Sequence, residues 1–504
     1  MIDASRFRIC TEKPRVFILS DISNEPDDAE SLCRYLLYSN EFDTRGLVAC
    51  TSTWMRDAVH PEDMETIVNA YAEVVDNLNV HVHPSNQYAS GDSFRSLIKT
   101  GPVLYGKEAL REGVPLSDGS KALIEQVDES SQPLWVLCWG GTNVLAQALQ
   151  HVQQYRSQSE SRHFRSKLRV YAISDQDDTG LWIRITFPDV FYICSIHGWN
   201  QYRMATWIGI SGEKMIAFDE GGPDFTKVSS KWLKEHIQIG PLGQAYPDFK
   251  FIMEGDTPTF LYLIQNGLGS SEHPEWGSWG GRYESTDLGG AARHFSDTYD
   301  KVIGVNGQTY NSNQGTIWRW RNEYQDSFAA RIQWTLINDP SKANHAPIAI
   351  VNGSAPGPEP LFLDAEAGTD IVLDASESYD PDGDELNFHW FHYKEVPSTT
   401  GWMATGMWNK PISFQNLDPE REGRKVKVQL PSPEASAVNM VTGKAMEKGQ
   451  VLHFILQLKD NGNPPLTTYK RVVLQTTNKY LRGGREMVVE TVTAALDLIN
   501  NGQF

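Results

Sequence analysis

The 504-residue chain has no apolar run approaching the ~20 residues that a membrane-crossing helix needs, so no membrane partner is expected. It is short of positive charge. Lys and Arg number 45 against 64 Asp and Glu, a formal net charge of −19, and a chain so charged repels phosphate. Nucleic acid is therefore not expected as a partner. Cysteine is scarce and odd in number: Cys10, Cys33, Cys50, Cys138 and Cys194, all in the first half. Their wide spacing fits neither a disulfide framework nor a zinc site. The last four lie in apolar segments and read as buried thiols, which require no oxidising compartment. The opening residues "MIDASRFRICTEKPR" have no apolar leader segment. As written, the chain reads as cytoplasmic, and as secreted only if a leader was removed.

Apolar residues are abundant, at 40% with fifteen Trp, enough for a large core. The length implies two or three domains. Over 14–340, apolar runs alternate with helical periodicity. "RVFILSD", "TRGLVACTS", "LNVHVHP", "PLWVLCWGG", "LRVYAISD" and "DFKFIMEGD" read as strands with helices between them. This predicts an α/β domain: an open, mostly parallel sheet with helices on both faces. Over 345–480 the helical signal vanishes. "TDIVLDASESYDPDGDELNFHWFHY" and "KGQVLHFILQLKDNGNPPLTTYKRVVLQT" each read as strand, turn, strand, which predicts an all-β Ig-like sandwich. Residues 481–504 read as a C-terminal helical tail.

Acidic and polar residues gather where the predicted strands end. "SDISNEPDD" carries Asp21, Glu25, Asp27 and Asp28. Thr51, Ser52 and Thr53 follow the second strand, and Gly140 through Asn143 a later one. "SDQDD" contributes Asp175 and Asp177, and "EGD" contributes Glu254 and Asp256. In an open α/β sheet, ligands bind outside the carboxyl ends of the strands, so these groups should converge. Converging carboxylates repel, and a hard divalent cation is the commonest compensation. Helix capping by Asp27 or Asp28 is the competing explanation; it does not cover Asp21 and Asp256. "SDQDD" reads as the source of a second acid for leaving-group protonation, or as a solvated turn. Trp139, Trp276 and Trp279 stand beside Gly at predicted turns, with His273, Arg282 and Tyr283 nearby; aromatic faces suit sugar rings. "SGDSF" at 90–94 reads as a turn. "DPDGDE" at 380–385 reads as a structural turn, with a weak Ca²⁺ site left open.

"FILSDISNEPDDAESL" at 17–32 resembles the N-terminal signature of nucleoside hydrolases. "VLCWGGTNVLAQAL" and "FIMEGDTPTFL" are similar to that family's second and third blocks. The likeness is closer still to nucleoside-hydrolase-like proteins of the cellulose-binding Sde182 type, in which "SDxxNEPDD", "GSWGGR" and a C-terminal Ig-like domain occur together. The resemblance implies a Ca²⁺ ion held by Asp21, Asp28, Asp256 and the carbonyl of Cys138, with Asp21 and Asp28 catalytic. It implies a sugar-hydroxyl contact from Asp27; the strand-end and turn residues Asn24, Glu25, Trp139, Asn143, Asp175, Asp177, Trp279 and Arg282 are the further candidate substrate contacts.

The chain departs from the family at three places. Aligned without gaps, Ser23 occupies the place of a metal-binding Asp, and only a two-residue insertion gives Asp21 that role. Near Thr53 an Asn is missing. Gly255 stands where some members carry a His that assists a purine leaving group. The expectation is a glycoside-cleaving hydrolase acting on a plant-type carbohydrate or glycoside by metal-assisted attack of water. The alternatives are a carbohydrate (cellulose)-binding protein without turnover and a true nucleoside hydrolase.

Overall fold

The computed structural model describes residues 3–10, 12–287, 289–396, 412–437 and 445–479. The tail expected over 481–504 lies outside the described residues. The chain divides into two compact units. One comprises Cys10–Ile264 and Ser271–Ala343, the other Met1–Ile9, Gln265–Ser270 and Asn344–Phe504.

The first unit is built on β1 (Arg15–Ser20), whose six residues are all buried. A strand with no wet face belongs inside a parallel sheet covered on both sides. The other strands are β2 (Asp43–Ala49), β3 (Ile98–Thr100), β4 (Leu134–Cys138), β5 (Leu168–Ala172), β6 (Phe191–Cys194), β7 (Tyr283–Ser285) and β8 (His294–Asp297). Their order is β3-β2-β1-β4-β5-β6-β8-β7. All pairings are parallel except that of the edge strand β7 with β8. On one face Phe17, Leu19, Val136 and Val170 pack with Leu123, Val127, Leu145 and Leu149 of helices Asp118–Glu129 and Asn143–Tyr155. On the other, Trp135 and Tyr171 meet the Tyr262 ring at 5.4 and 5.7 Å. All five cysteines are buried and unpaired. No helix among the described residues is long and apolar enough to cross a membrane.

Two expected strands are absent. "LNVHVHP" forms the end of helix Val75–Asn79 and a turn, where His81 bonds the Ile337 carbonyl (2.6 Å) and stacks on Trp334. "DFKFIMEGD" is irregular, because the sheet position beside β6 is taken by β8. The segment is instead held by its far end: the Glu254 N–H donates to Glu30 (2.8 Å) and its carboxylate pairs with Arg34 (2.6 Å). A hairpin of β9 (Asp300–Ile303) and β10 (Thr309–Ser312) completes the strands of this unit.

The second unit is all-β in its sheets. β11 (Leu361–Glu366), β17 (Thr467–Thr477), β16 (Lys448–Lys459) and β13 (Asn387–His392) form one sheet. β12 (Asp370–Asp374), β15 (Lys425–Gln429) and β14 (Phe414–Asn416) form the other. Leu373, Val426 and Val428 from the smaller sheet share one core with Phe388, Trp390, Phe454, Leu456 and Val472 from the larger. The alternation of buried and exposed residues along β12 and β13 that was visible in the sequence serves this core.

Candidate active site

The strand order reverses direction between β1 and β4, and a crevice opens outside the carboxyl ends of strands at such a point. β1 delivers Asp21 there directly. A turn follows, with the Asn24 N–H donating to the Asp21 carbonyl (3.1 Å) and Ser23 at a left-handed φ of 84°. Helix α1 (Pro26–Tyr38) then starts on proline, which suits the first helical position. Glu25 is its N-cap residue, although its side chain makes no capping bond. Asp27 and Asp28 therefore lie in the first turn and do not cap the helix. The helix dipole favours negative charge at this end.

Asp27, Asp28 and Asp256 are buried, and each offers a carboxylate oxygen within 4.8 Å of the others. Asp21 is near enough for its charge to act on all three. Burial is the largest influence on each carboxyl, followed for Asp27, Asp28 and Asp256 by neighbouring carboxylates. Asp21 is pushed up to about 6, and the other three are held well above the usual carboxylate range. Ser20 donates to Asp28, and the Asp28 N–H donates to Asp27 (3.1 Å). Yet Asp21 Oδ2 and both oxygens of Asp256 are enclosed without a hydrogen-bond donor. An unsatisfied buried acceptor costs about 1–3 kcal/mol, more when charged. An all-oxygen set of this kind fits a hard divalent cation.

Gly255 settles why no larger residue precedes Asp256. A Cβ there would lie 2.7 Å from Asp27 Oδ2 and 3.2 Å from the Trp207 ring. A larger residue at this position would have to push the Asp27 carboxylate aside. Ser23 is exposed and donates to Asp63, so the turn brings Asp21, and not residue 23, to the cluster. Near the missing Asn, Thr53 accepts from the Arg56 guanidinium (3.2 Å).

The other expected site residues have different surroundings. Asn24 and Glu25 are half-buried, and burial raises the Glu25 carboxyl. Trp139 is buried, with its indole N–H on Thr259 (2.8 Å) and its ring against Phe260, which leaves no face for a sugar. The Cys138 carbonyl accepts the Ile173 N–H at 3.4 Å and keeps a second lone pair. Asn143 is buried and donates to Thr51 (2.9 Å) and to the Leu104 carbonyl (2.8 Å). Asp175 forms a two-pronged pair with Arg184, at 2.7 and 2.6 Å. Asp177 accepts from Thr142 and Thr179 and fastens the turn after β4. "SDQDD" is thus a tie between turns. Trp279 is 3% exposed, with its ring against Tyr324. Arg282 is buried against Asp300 (2.7 Å), Glu284 (2.8 Å) and the Tyr299 carbonyl (2.6 Å).

Ser20, Arg34, Gln325 and Trp54 were not singled out from the sequence. Ser20 orients one of the carboxylates. Beneath them Arg34 joins Glu254 to Gln325 (2.8 Å), with Glu254 at a strained φ of 57°. Trp54 is 54% exposed, and its N–H donates to the Ser52 hydroxyl at 3.0 Å. The signal for it was its place in the loop after β2, at the same sheet edge.

Fold and site define the class first: an α/β protein with an acidic pocket at the switch point of a parallel sheet, joined to an all-β unit. Residues 15–283 match the model of the cellulose-binding Sde182, nucleoside hydrolase-like domain, and residues 370–476 that of the cellulose-binding protein Sde0182, C-terminal domain. The chain belongs to the cellulose-binding Sde182 family. It is similar to the solved structure of a nucleoside hydrolase-related protein from Saccharophagus degradans associated with carbohydrate metabolism. Identity is 31%, coverage 92% of this chain and 100% of that one, and the TM-score 0.73. An inosine-uridine preferring nucleoside hydrolase from Bacillus anthracis is 13% identical, covering 64% of this chain and 100% of its own. Its TM-score of 0.32 is too low to carry an argument. No curated protein matches the chain.

Proposed function

We propose that the pocket hydrolyses a glycosidic bond in a plant-type carbohydrate or glycoside, with Ca²⁺ held by Asp21, Asp28, Asp256 and the Cys138 carbonyl. The observation that carries this reading is the set of enclosed, donorless oxygens on Asp21 and Asp256 at the sheet's switch point. When bound, a divalent cation neutralises these charges and makes water a nucleophile at neutral pH. Asp21 takes up the proton of the attacking water, while Asp28, oriented by Ser20, would hold the ion beside it. Asp27 faces sugar hydroxyls. Glu25, half-buried with its carboxyl raised by burial, donates a proton to the leaving group. Asn24 lines the mouth, and the exposed ring of Trp54 stacks on a sugar.

The test is metal content and turnover together, on Asp28→Asn and Asp256→Asn. Both variants should lose bound cation from this pocket and release of reducing sugar. A folded variant retaining both contradicts the reading. A second reading, carbohydrate binding without turnover, is supported by the family's cellulose-binding description and by the pairing of Asp175 with Arg184, which removes one candidate acid. Retention on insoluble cellulose with no sugar released would favour it; released sugar would exclude it. Inosine and uridine should not be cleaved, since Gly255 offers no imidazole to a purine leaving group and the Asn expected near Thr53 is missing.

A further inference from the structure

The run 380–385, "DPDGDE", precedes β13 and faces the connection between β16 and β17. The Glu385 N–H donates to Asn461 Oδ1 (2.9 Å). Two carboxylates anchor these turns in the same lopsided way. Asp380 is 5% exposed, and its Oδ1 accepts the N–H groups of Asp382 (2.8 Å), Gly383 (3.0 Å) and Asp384 (3.1 Å). Asp460 is 4% exposed, and its Oδ1 accepts the N–H groups of Gly462 and Leu466 (both 2.9 Å) and the Asn344 amide (3.0 Å). In both residues Oδ2 is enclosed and has no hydrogen-bond donor.

A structural turn accounts for the two Oδ1 atoms. It does not account for two buried Oδ2 atoms left bare on residues whose charges repel each other. Asp382 and Asp384 complete the picture. Together with Asp380 they offer three carboxylate oxygens within 4.8 Å of one another. Oxygens bound to one Ca²⁺ at about 2.4 Å are at most ~4.8 Å apart, so this cluster has the span of a single coordination shell. Asp382 also accepts from the His345 N–H (2.7 Å) and Nδ1 (2.9 Å), which fixes its carboxylate. We propose that Asp380, Asp382 and Asp384 hold a Ca²⁺ ion in the all-β unit, with the bare Oδ2 of Asp380 among its ligands and the charge of Asp460 beside it. An all-carboxylate set suits the flexible, many-oxygen shell of Ca²⁺ better than the strict octahedron of Mg²⁺.

The experiment uses the full chain and separates this site from the pocket of the first unit. In an Asp256→Asn background, calorimetric titration with CaCl₂ should still show one bound ion, and Ca²⁺ should raise Tm by several degrees. Adding Asp384→Asn or Asp382→Asn should abolish both. Asp382 also bonds His345, so D384N keeps the test alive if D382N does not fold. Absence of Ca²⁺ binding in the Asp256→Asn chain overturns the proposal, as does retention in the double variants. Equal affinity for Mg²⁺ overturns the choice of ion.

Discussion

Gly255 holds Asp27 and Asp256 at the separation that the cluster requires. A methyl group there meets Asp27 Oδ2 at 2.7 Å, so Gly255→Ala should displace that carboxylate. We expect Ca²⁺ affinity of the pocket to fall about tenfold, ~1.4 kcal/mol, by calorimetry in an Asp384→Asn background. Trp54→Ala removes a ring that is 54% exposed. Stability should change by less than ~0.5 kcal/mol, while binding to soluble glucan weakens by about tenfold on a titration. At this scale the sequence was partly legible. Asp21, Asp27, Asp28 and Asp256 were visible because strand ends and a helix start are local signals, and the structure places them together. Trp139, Asp175 and Arg282 were not, because their bonds to Thr259, Arg184 and Asp300 are settled by packing that no local spacing reveals. Ser23 looked like a gap in the ligand set; the left-handed turn turns it outward and leaves Asp21 in place.

At the scale of elements, α1 does two jobs. Its first turn presents Asp27 and Asp28, and its third carries Arg34 under the pocket to Glu254. Both partners of that pair are fully buried. Arg34→Met would leave buried Glu254 with the Tyr246 hydroxyl but without its cation, a loss of about 3–5 kcal/mol measurable by urea denaturation. An effect under ~1 kcal/mol would mean that the pair does not organise the segment before Asp256. The strands of the sheet interior were readable as apolar runs. "DFKFIMEGD" was misleading because an apolar, β-prone stretch can be held by a few buried polar bonds when another strand occupies the sheet position. In the all-β unit, apolar β-prone runs between turn clusters located β12, β13, β16 and β17, but not which sheet each joins.

At the scale of the whole molecule, acidity and stability are linked. Asp21 is raised from 3.8 to about 6 by burial in the folded chain. A raised carboxyl binds its proton more tightly when folded, so its contribution is full below about pH 4. It is lost as pH rises through about 6, on the order of 3 kcal/mol for this group. Asp460, also pushed up to about 6, acts in the same sense. With chelator, Tm should therefore be higher at pH 5 than at pH 7.5. Ca²⁺ should raise Tm at pH 7.5 and do less at pH 5, because binding there must displace protons. A chelated protein that is more stable at pH 7.5 would contradict the raised carboxyls. The most direct measurement of the central claim is a crystal structure of the full chain grown with Ca²⁺ at neutral pH, using anomalous scattering to locate ions. The account predicts an ion in contact with Asp21 Oδ2, Asp28 and Asp256. Those carboxyl groups bonded to one another or to water, with no ion among them, would contradict it.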